Sequence, residues 1–242
     1  MRALIDAWLQ SDLFGRLILI ALFALSIFVW SVILRKYILF REAKIKSEQF
    51  KQEYRKFSGN PLGIVESNKF FDESPFYSVC DTALDNLIVI LKRRGVVEEI
   101  KNGRSAKWKF NDEDADVSRD ELETISKAVD STISNEVLGL EKNLNLLATT
   151  ASVSPLLGLL GTVWGILIGF QDIAREGSAQ IDVVTKGISV ALVTTVVGLL
   201  VALPSLVMYN YMVNIIKRFE AEMENFSNEI VVDIERKYMK KG

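Results

Sequence analysis

The sequence predicts an all-α integral membrane protein: three transmembrane helices, with the second and third extended into a cytoplasmic helical bundle. Three observations predict it. First, charge is segregated. Leu17–Leu34 runs eighteen residues without a charge between Arg16 and Arg35, residues 143–171 run twenty-nine, and residues 187–216 run thirty. A bilayer core of about 30 Å takes about 20 helical residues, so each run can cross it. Second, the second and third runs continue into flanking residues whose apolar positions keep a 3–4 spacing, the period of a helix with one buried face. Third, small and hydroxyl residues line single faces of those two runs, the pattern by which membrane helices approach closely.

Taken in order, residues 1–16 form an outer N-terminal segment, with Asp6–Gly15 a short interfacial helix. Residues 17–34 are the first span. Its apolar core is too long for a cleavable signal, and Leu34-Arg35-Lys36-Tyr37 offers no small-residue cleavage site. Residues 35–142 form a cytoplasmic helical domain. Its basic start, to Lys56, prolongs the first span as a helix with Tyr37, Phe40, Phe50, Tyr54 and Phe57 on an apolar side. Ser58–Gly63 is a breaker. Phe76–Arg94 is helical, with Ala83, Leu84, Leu87, Ile88 and Leu91 at amphipathic spacing. Gly95–Ser118 is an exposed excursion, a small hairpin turning at Asn102-Gly103.

Helix resumes near Asp120. Leu122, Ile125, Val129, Ile133, Val137, Leu140 and Leu144 carry one continuous helix into the second span, 143–171, whose inner part lies in the cytoplasm. A loop at 172–186 leads to the third span, 187–216, and a cytoplasmic helix at 217–242. Six basic residues (Arg35, Lys36, Arg41, Lys44, Lys46 and Lys51) follow the first span within twenty residues, against Arg2 and Arg16 before it. The positive-inside rule therefore places the N-terminus outside and the C-terminus inside.

Composition narrows the function. The chain has no histidine, which removes the usual neutral-pH acid–base group and the commonest metal ligand. The single Cys80 excludes an internal disulfide, and a net charge of −2 gives no case for nucleic acid. Asp112, Glu113, Asp114 and Asp116 read as a solvated loop rather than a metal site. No enzyme activity, cofactor or metal is expected.

The informative residues lie in Ser154–Phe170, SPLLGLLGTVWGILIGF. Gly161, Gly165 and Gly169 recur every four residues, and Thr162 is the one hydroxyl between Ser154 and Phe170. Ala151, Pro155, Gly158, Thr162, Gly165 and Gly169 form one stripe. Ala191, Thr195, Gly198, Ala202, Ser205 and Tyr209 form another in the third span. Thr162 lies nine residues before Gln171, and Thr195 eight after Gly187. Both sit about 12–14 Å below the outer boundary, near mid-membrane. Pro155 and Pro204 also match in depth. The glycines, prolines and alanines read as helix packing and subunit interface, and the glycines of Ser154–Phe170 read best as packing between copies of the chain. The two threonines read either as packing or as the wall of a hydrated path. Proton relays normally use ionisable groups inside the membrane, and the three runs hold none. A titrating carboxylate then has to come from a partner helix.

Ser154-Pro155, with Gly158-Leu159-Leu160-Gly161-Thr162-Val163-Trp164-Gly165-Ile166, resembles the second-span signature of the TolQ/ExbB/MotA proton-channel family. Gly187-Ile188-Ser189-Val190-Ala191-Leu192-Val193-Thr194-Thr195-Val196-Val197-Gly198-Leu199, with Pro204, resembles the third. The resemblance covers about residues 125–220. Ser26, Trp30 and Arg35 also look like the first span of TolQ. Three spans fit TolQ first and ExbB second, since MotA has four.

The resemblance implies an inner-membrane stator subunit that turns proton-motive force into mechanical work on the envelope. That work serves outer-membrane integrity and cell division in a Tol pathway, or TonB-dependent uptake in an Exb pathway. It further implies a homopentamer around a TolR- or ExbD-like single-span protein carrying a membrane aspartate, working on a TolA- or TonB-like protein. Thr162 and Thr195 match the family's pore-facing threonines. The family's usual glutamate, in G-I-x-E-A-L, is here Val190. Either the carboxylate is dispensable, or Asp172, Glu176 or Asp182 replaces it, or conduction is poor. The alternative is a non-conducting helical scaffold subunit.

Overall fold

The computed structural model describes residues 8–9, 11–57, 60–66, 74–102, 105–110, 116–176 and 181–239, with backbone alone at 65–66, 97–102, 105–110, 175–176, 181–186 and 190. Six helices and one hairpin are described: α1 (Leu13–Arg55), α2 (Gly63–Glu66), α3 (Pro75–Arg93), β1 (Val97–Asn102), β2 (Ser105–Phe110), α4 (Arg119–Glu141), α5 (Leu144–Glu176) and α6 (Ile181–Tyr238). The all-α class holds, with one small hairpin among the described residues; Gly103 of the expected turn pair lies outside them. Three helices are long and apolar enough to cross a membrane, within Leu13–Arg55, Leu144–Ala174 and Gly187–Tyr238.

The chain divides into two compact units: Met1–Tyr37 with Glu141–Asn214, and Ile38–Leu140 with Ile215–Gly242. In the first unit α1 begins at Leu13 because Asp12 caps it: the Gly15 N–H donates to Asp12 Oδ1 at 2.9 Å. The predicted interfacial helix therefore runs partly into α1 at Leu13–Gly15, and residues 6, 7 and 10 of it lie outside the described residues. Ile18, Leu22, Val29, Val32 and Ile33 are buried, whereas Leu17, Ile20, Phe23, Ile27, Trp30 and Leu34 are exposed. A helix apolar all round, with one side left bare, is built for lipid or a membrane partner.

The second unit is a helical bundle with an aromatic centre. From α1, Phe40, Phe50 and Tyr54 are buried at helical spacing, but Tyr37 is exposed and does not share that side. Phe219, Met223, Phe226, Ile230 and Ile234 supply the α6 face, and the five apolar positions named for α3 are all buried. The Tyr54 and Phe226 rings meet edge-on at 5.0 Å, with Phe50 at 5.9 Å and Phe76 at 5.6 Å from Phe226. Each such pair contributes about 0.5–1.5 kcal/mol beyond its burial. The buried Tyr54 hydroxyl donates to Asp233 Oδ2 at 3.2 Å, which gives that inward carboxylate a partner.

Helix α3 starts where Ser74 Oγ accepts from the Tyr77 N–H and Pro75 takes the first helical position. It stops at Gly95, whose φ of +72° suits a residue without Cβ. The hairpin follows, Val97 paired with Phe110 and Asn102 with Ser105. Ser118 opens α4 through a capping box. Its hydroxyl accepts from the Glu121 N–H at 3.3 Å, and its own N–H donates to Glu121 Oε2 at 2.8 Å. The Arg94 guanidinium donates to the same carboxylate at 2.6 Å. Burial pushes the Glu121 carboxyl up, but the Ser118 bonds and Arg94 outweigh it and leave its pKa lowered.

One expectation is corrected. The helix from residue 120 does not run unbroken into the second span. It ends at Glu141, Asn143 takes a φ of +69°, and α5 starts afresh at Leu144. Asparagine tolerates the left-handed region and commonly ends helices. The apolar spacing carried across the joint because Leu140, Leu144 and Leu147 are all buried on either side of it.

Candidate functional site

The seam between α5 and α6 holds the residues of interest. It is built on absent side chains. A methyl added at Gly158 lies 2.9 Å from the Thr194 carbonyl and the Thr195 Cα. One added at Gly198 lies 2.5 Å from the Ser154 carbonyl and 3.2 Å from the Gly158 Cα. Gly161 faces the Thr194 Cβ at 2.8 Å, and Gly165 the Ala191 Cβ at 2.7 Å. Real Cβ atoms do not approach so closely, so these positions require glycine for the crossing itself. Within this chain the track joins α5 to α6. Gly169 differs: nothing lies within 4 Å of its added methyl.

Much of the stripe read in the sequence is buried: Gly158, Thr162 and Gly169 on α5, and Ala191, Gly198, Ala202 and Ser205 on α6. Ser154, Gly161, Thr194 and Val201 are buried beside it. Ala151, Pro155, Thr195, Pro204 and Tyr209 are half-buried, at the rim of that contact. Both prolines sit inside unbroken helices. Beside Pro155, the Ser154 hydroxyl donates to the Thr150 carbonyl at 2.7 Å, tying down its own polar atom in an apolar run.

The depth argument is met by geometry. Thr195 Oγ1 lies 3.5 Å from Thr162 Oγ1 across the seam. Thr195 also donates to the Gly158 carbonyl at 3.0 Å, and Thr162 to the Leu159 carbonyl at 2.7 Å. Sequence reasoning passed over Thr194, which is 2% exposed and whose one hydroxyl hydrogen has two acceptors in reach, the Gly158 carbonyl at 3.2 Å and the Ala191 carbonyl at 2.7 Å. Its signal was present: Ala191, Thr194, Gly198, Val201 and Ser205 keep the same 3–4 spacing as the stripe that was chosen.

The first helix joins on another side of α5. The Trp164 indole N–H donates to Asp12 Oδ2 at 2.8 Å, and the Phe14 and Trp164 rings lie 4.4 Å apart. At about 100° per residue, Trp164 points nearly opposite Thr162. Val190 lies in α6 with its side chain outside the described residues, as do the side chains of Glu176 and Asp182. Among the described residues no group of acidic, cysteine or histidine side chains could hold a metal.

A polytopic helical membrane protein, with a glycine-tight helix pair edged by hydroxyls and free of charge, is the class these features define. Residues 96–225 match the MotA/TolQ/ExbB proton channel family, and the chain belongs to it. It is similar to the Tol-Pal system protein TolQ of Haemophilus influenzae, 27% identical over 236 residues, covering 96% of this chain and 93% of that protein. TolQ of Pseudomonas aeruginosa is 40% identical over 103 residues, 43% of this chain and 42% of its own length. The biopolymer transport protein ExbB of Xanthomonas campestris pv. campestris is 33% identical over 108 residues, 45% and 43% of the two chains. The chain is thus a Tol/Exb-type energy-transducing membrane subunit.

Proposed function

We propose that this chain is an inner-membrane proton-channel stator subunit that converts proton-motive force into mechanical work on the cell envelope. It assembles as a homopentamer with the N-terminus in the periplasm and the C-terminus in the cytoplasm. It surrounds a TolR- or ExbD-like single-span partner that brings the membrane aspartate, and drives a TolA- or TonB-like protein. The observation that carries the reading is the Thr162–Thr195 hydroxyl pair, 3.5 Å apart on two spans that hold no charge of their own. Hydroxyls can donate and accept, so they can pass a hydrogen-bonded chain to a carboxylate without titrating themselves. TolQ similarity along nearly the whole chain supports a Tol role, in outer-membrane integrity and cell division.

A non-conducting scaffold is the second reading. It is favoured by the intrachain bonds that already satisfy both hydroxyls, to Leu159 and Gly158. The Thr162→Val, Thr195→Val double variant decides. Co-reconstituted with a single-span partner in proteoliposomes, it is expected to keep its oligomeric mass and lose dye-reported proton uptake. Normal assembly with undiminished uptake sinks the conducting reading.

A further inference from the structure

The Gly158 carbonyl has two hydroxyls within reach, Thr194 at 3.2 Å and Thr195 at 3.0 Å. One of its lone pairs belongs to the α5 ladder, so one hydroxyl can occupy the other. Each threonine has a single hydrogen and a second acceptor nearby. For Thr194 it is the Ala191 carbonyl at 2.7 Å; for Thr195 it is Thr162 Oγ1 at 3.5 Å. The Thr162 hydrogen goes to Leu159, so Thr162 Oγ1 is left as an acceptor.

Two self-consistent arrangements follow. In one, Thr194 donates within α6 to Ala191, and Thr195 donates to Gly158. In the other, Thr194 crosses to Gly158, and Thr195 turns to Thr162. We propose that Thr194 is a positioning residue that sets the direction of the Thr195 hydroxyl, and with it whether the Thr195–Thr162 link across the seam is made. The inference rests on reading Thr162 and Thr195 as the proton path. Thr194 itself is buried at 2% exposure against Gly161, and acts only through its neighbour. Replacing its hydroxyl removes the competitor for the Gly158 carbonyl and so biases the Thr195 hydrogen toward that carbonyl and away from Thr162.

The test uses the full chain in lipid bilayers, as wild type, Thr194→Val, Thr194→Ser and, because it cannot overpack, Thr194→Ala. Proton-detected solid-state NMR reads contact between the Thr195 hydroxyl hydrogen and the Thr162 Cβ. Proton uptake is measured in proteoliposomes with the single-span partner. The wild type and Thr194→Ser are expected to show the contact. Thr194→Val and Thr194→Ala are expected to weaken it, with uptake reduced by up to about twofold, because each arrangement keeps the same number of hydrogen bonds and only the competition for the Gly158 carbonyl is lost. An undiminished contact in both hydroxyl-free variants overturns the proposal. So does a weakened contact with unchanged uptake, when the Thr162→Val, Thr195→Val chain is inactive. If that double variant conducts normally, the path itself is refuted and Thr194 has no role in it, whatever the NMR contact shows.

Discussion

Replacing Gly198 with alanine tests the seam most directly. The new methyl lies 2.5 Å from the Ser154 carbonyl and 3.2 Å from the Gly158 Cα, both backbone atoms that cannot rotate aside. A carbon–oxygen contact settles at about 3.3–3.6 Å, so the helices have to part by roughly 1 Å. A gap of that size forfeits about a quarter to a half of each dispersion contact lining it. It also carries Thr195 out of reach of Thr162, already 3.5 Å away. Overpacking of this kind costs about 1–3 kcal/mol. The control is Gly169→Ala, where nothing lies within 4 Å of the added methyl. Both substitutions gain the same helix propensity, about 1 kcal/mol, so it cancels in their difference. SDS titration in mixed micelles, followed by far-UV circular dichroism, is expected to unfold Gly198→Ala earlier than Gly169→Ala by that 1–3 kcal/mol. Equal stability of the two variants refutes the close crossing.

Three further outcomes are expected. Asp12→Ala removes both the α1 cap and the Trp164 bond, for a loss of about 1–2 kcal/mol; tryptophan emission should shift in Asp12→Ala and far less in Asp12→Asn, whose side-chain oxygen still accepts. Glu121 has a pKa lowered from 4.5, so its contribution to the start of α4 is present above the unfolded value and lost as pH falls through the folded one; amide protection factors at 118–122, taken relative to the intrinsic rate at each pH, should fall on acidification below about pH 4 in the wild type and be low already at neutral pH in Glu121→Gln. At Asn143, φ of +69° makes alanine cost about 1–2 kcal/mol while glycine is tolerated, measured by thermal melting of the two variants.

The spans, the amphipathic helices and the hairpin were legible because each follows from local period, charge or turn chemistry. Thr162 and Thr195 were legible as partners because equal depth in an antiparallel pair follows from helix rise alone. The break at Asn143 was not, since the apolar period crosses it undisturbed. Thr194 was not, because two stripes one residue apart share the same spacing on α6, and periodicity cannot rank them.

By itself the sequence determined where the chain can enter a membrane, that its three apolar runs carry no charge, and that Thr162 and Thr195 lie at matching positions. The tertiary structure decided what the glycines are for. Gly158, Gly161, Gly165 and Gly198 serve contact between two helices of this chain, at distances no Cβ permits, and that contact turns Thr194 inward and leaves Thr195 half-buried. The reason is physical: a helical repeat fixes which residues share a face, but only the neighbour that packs against it fixes which face is closed.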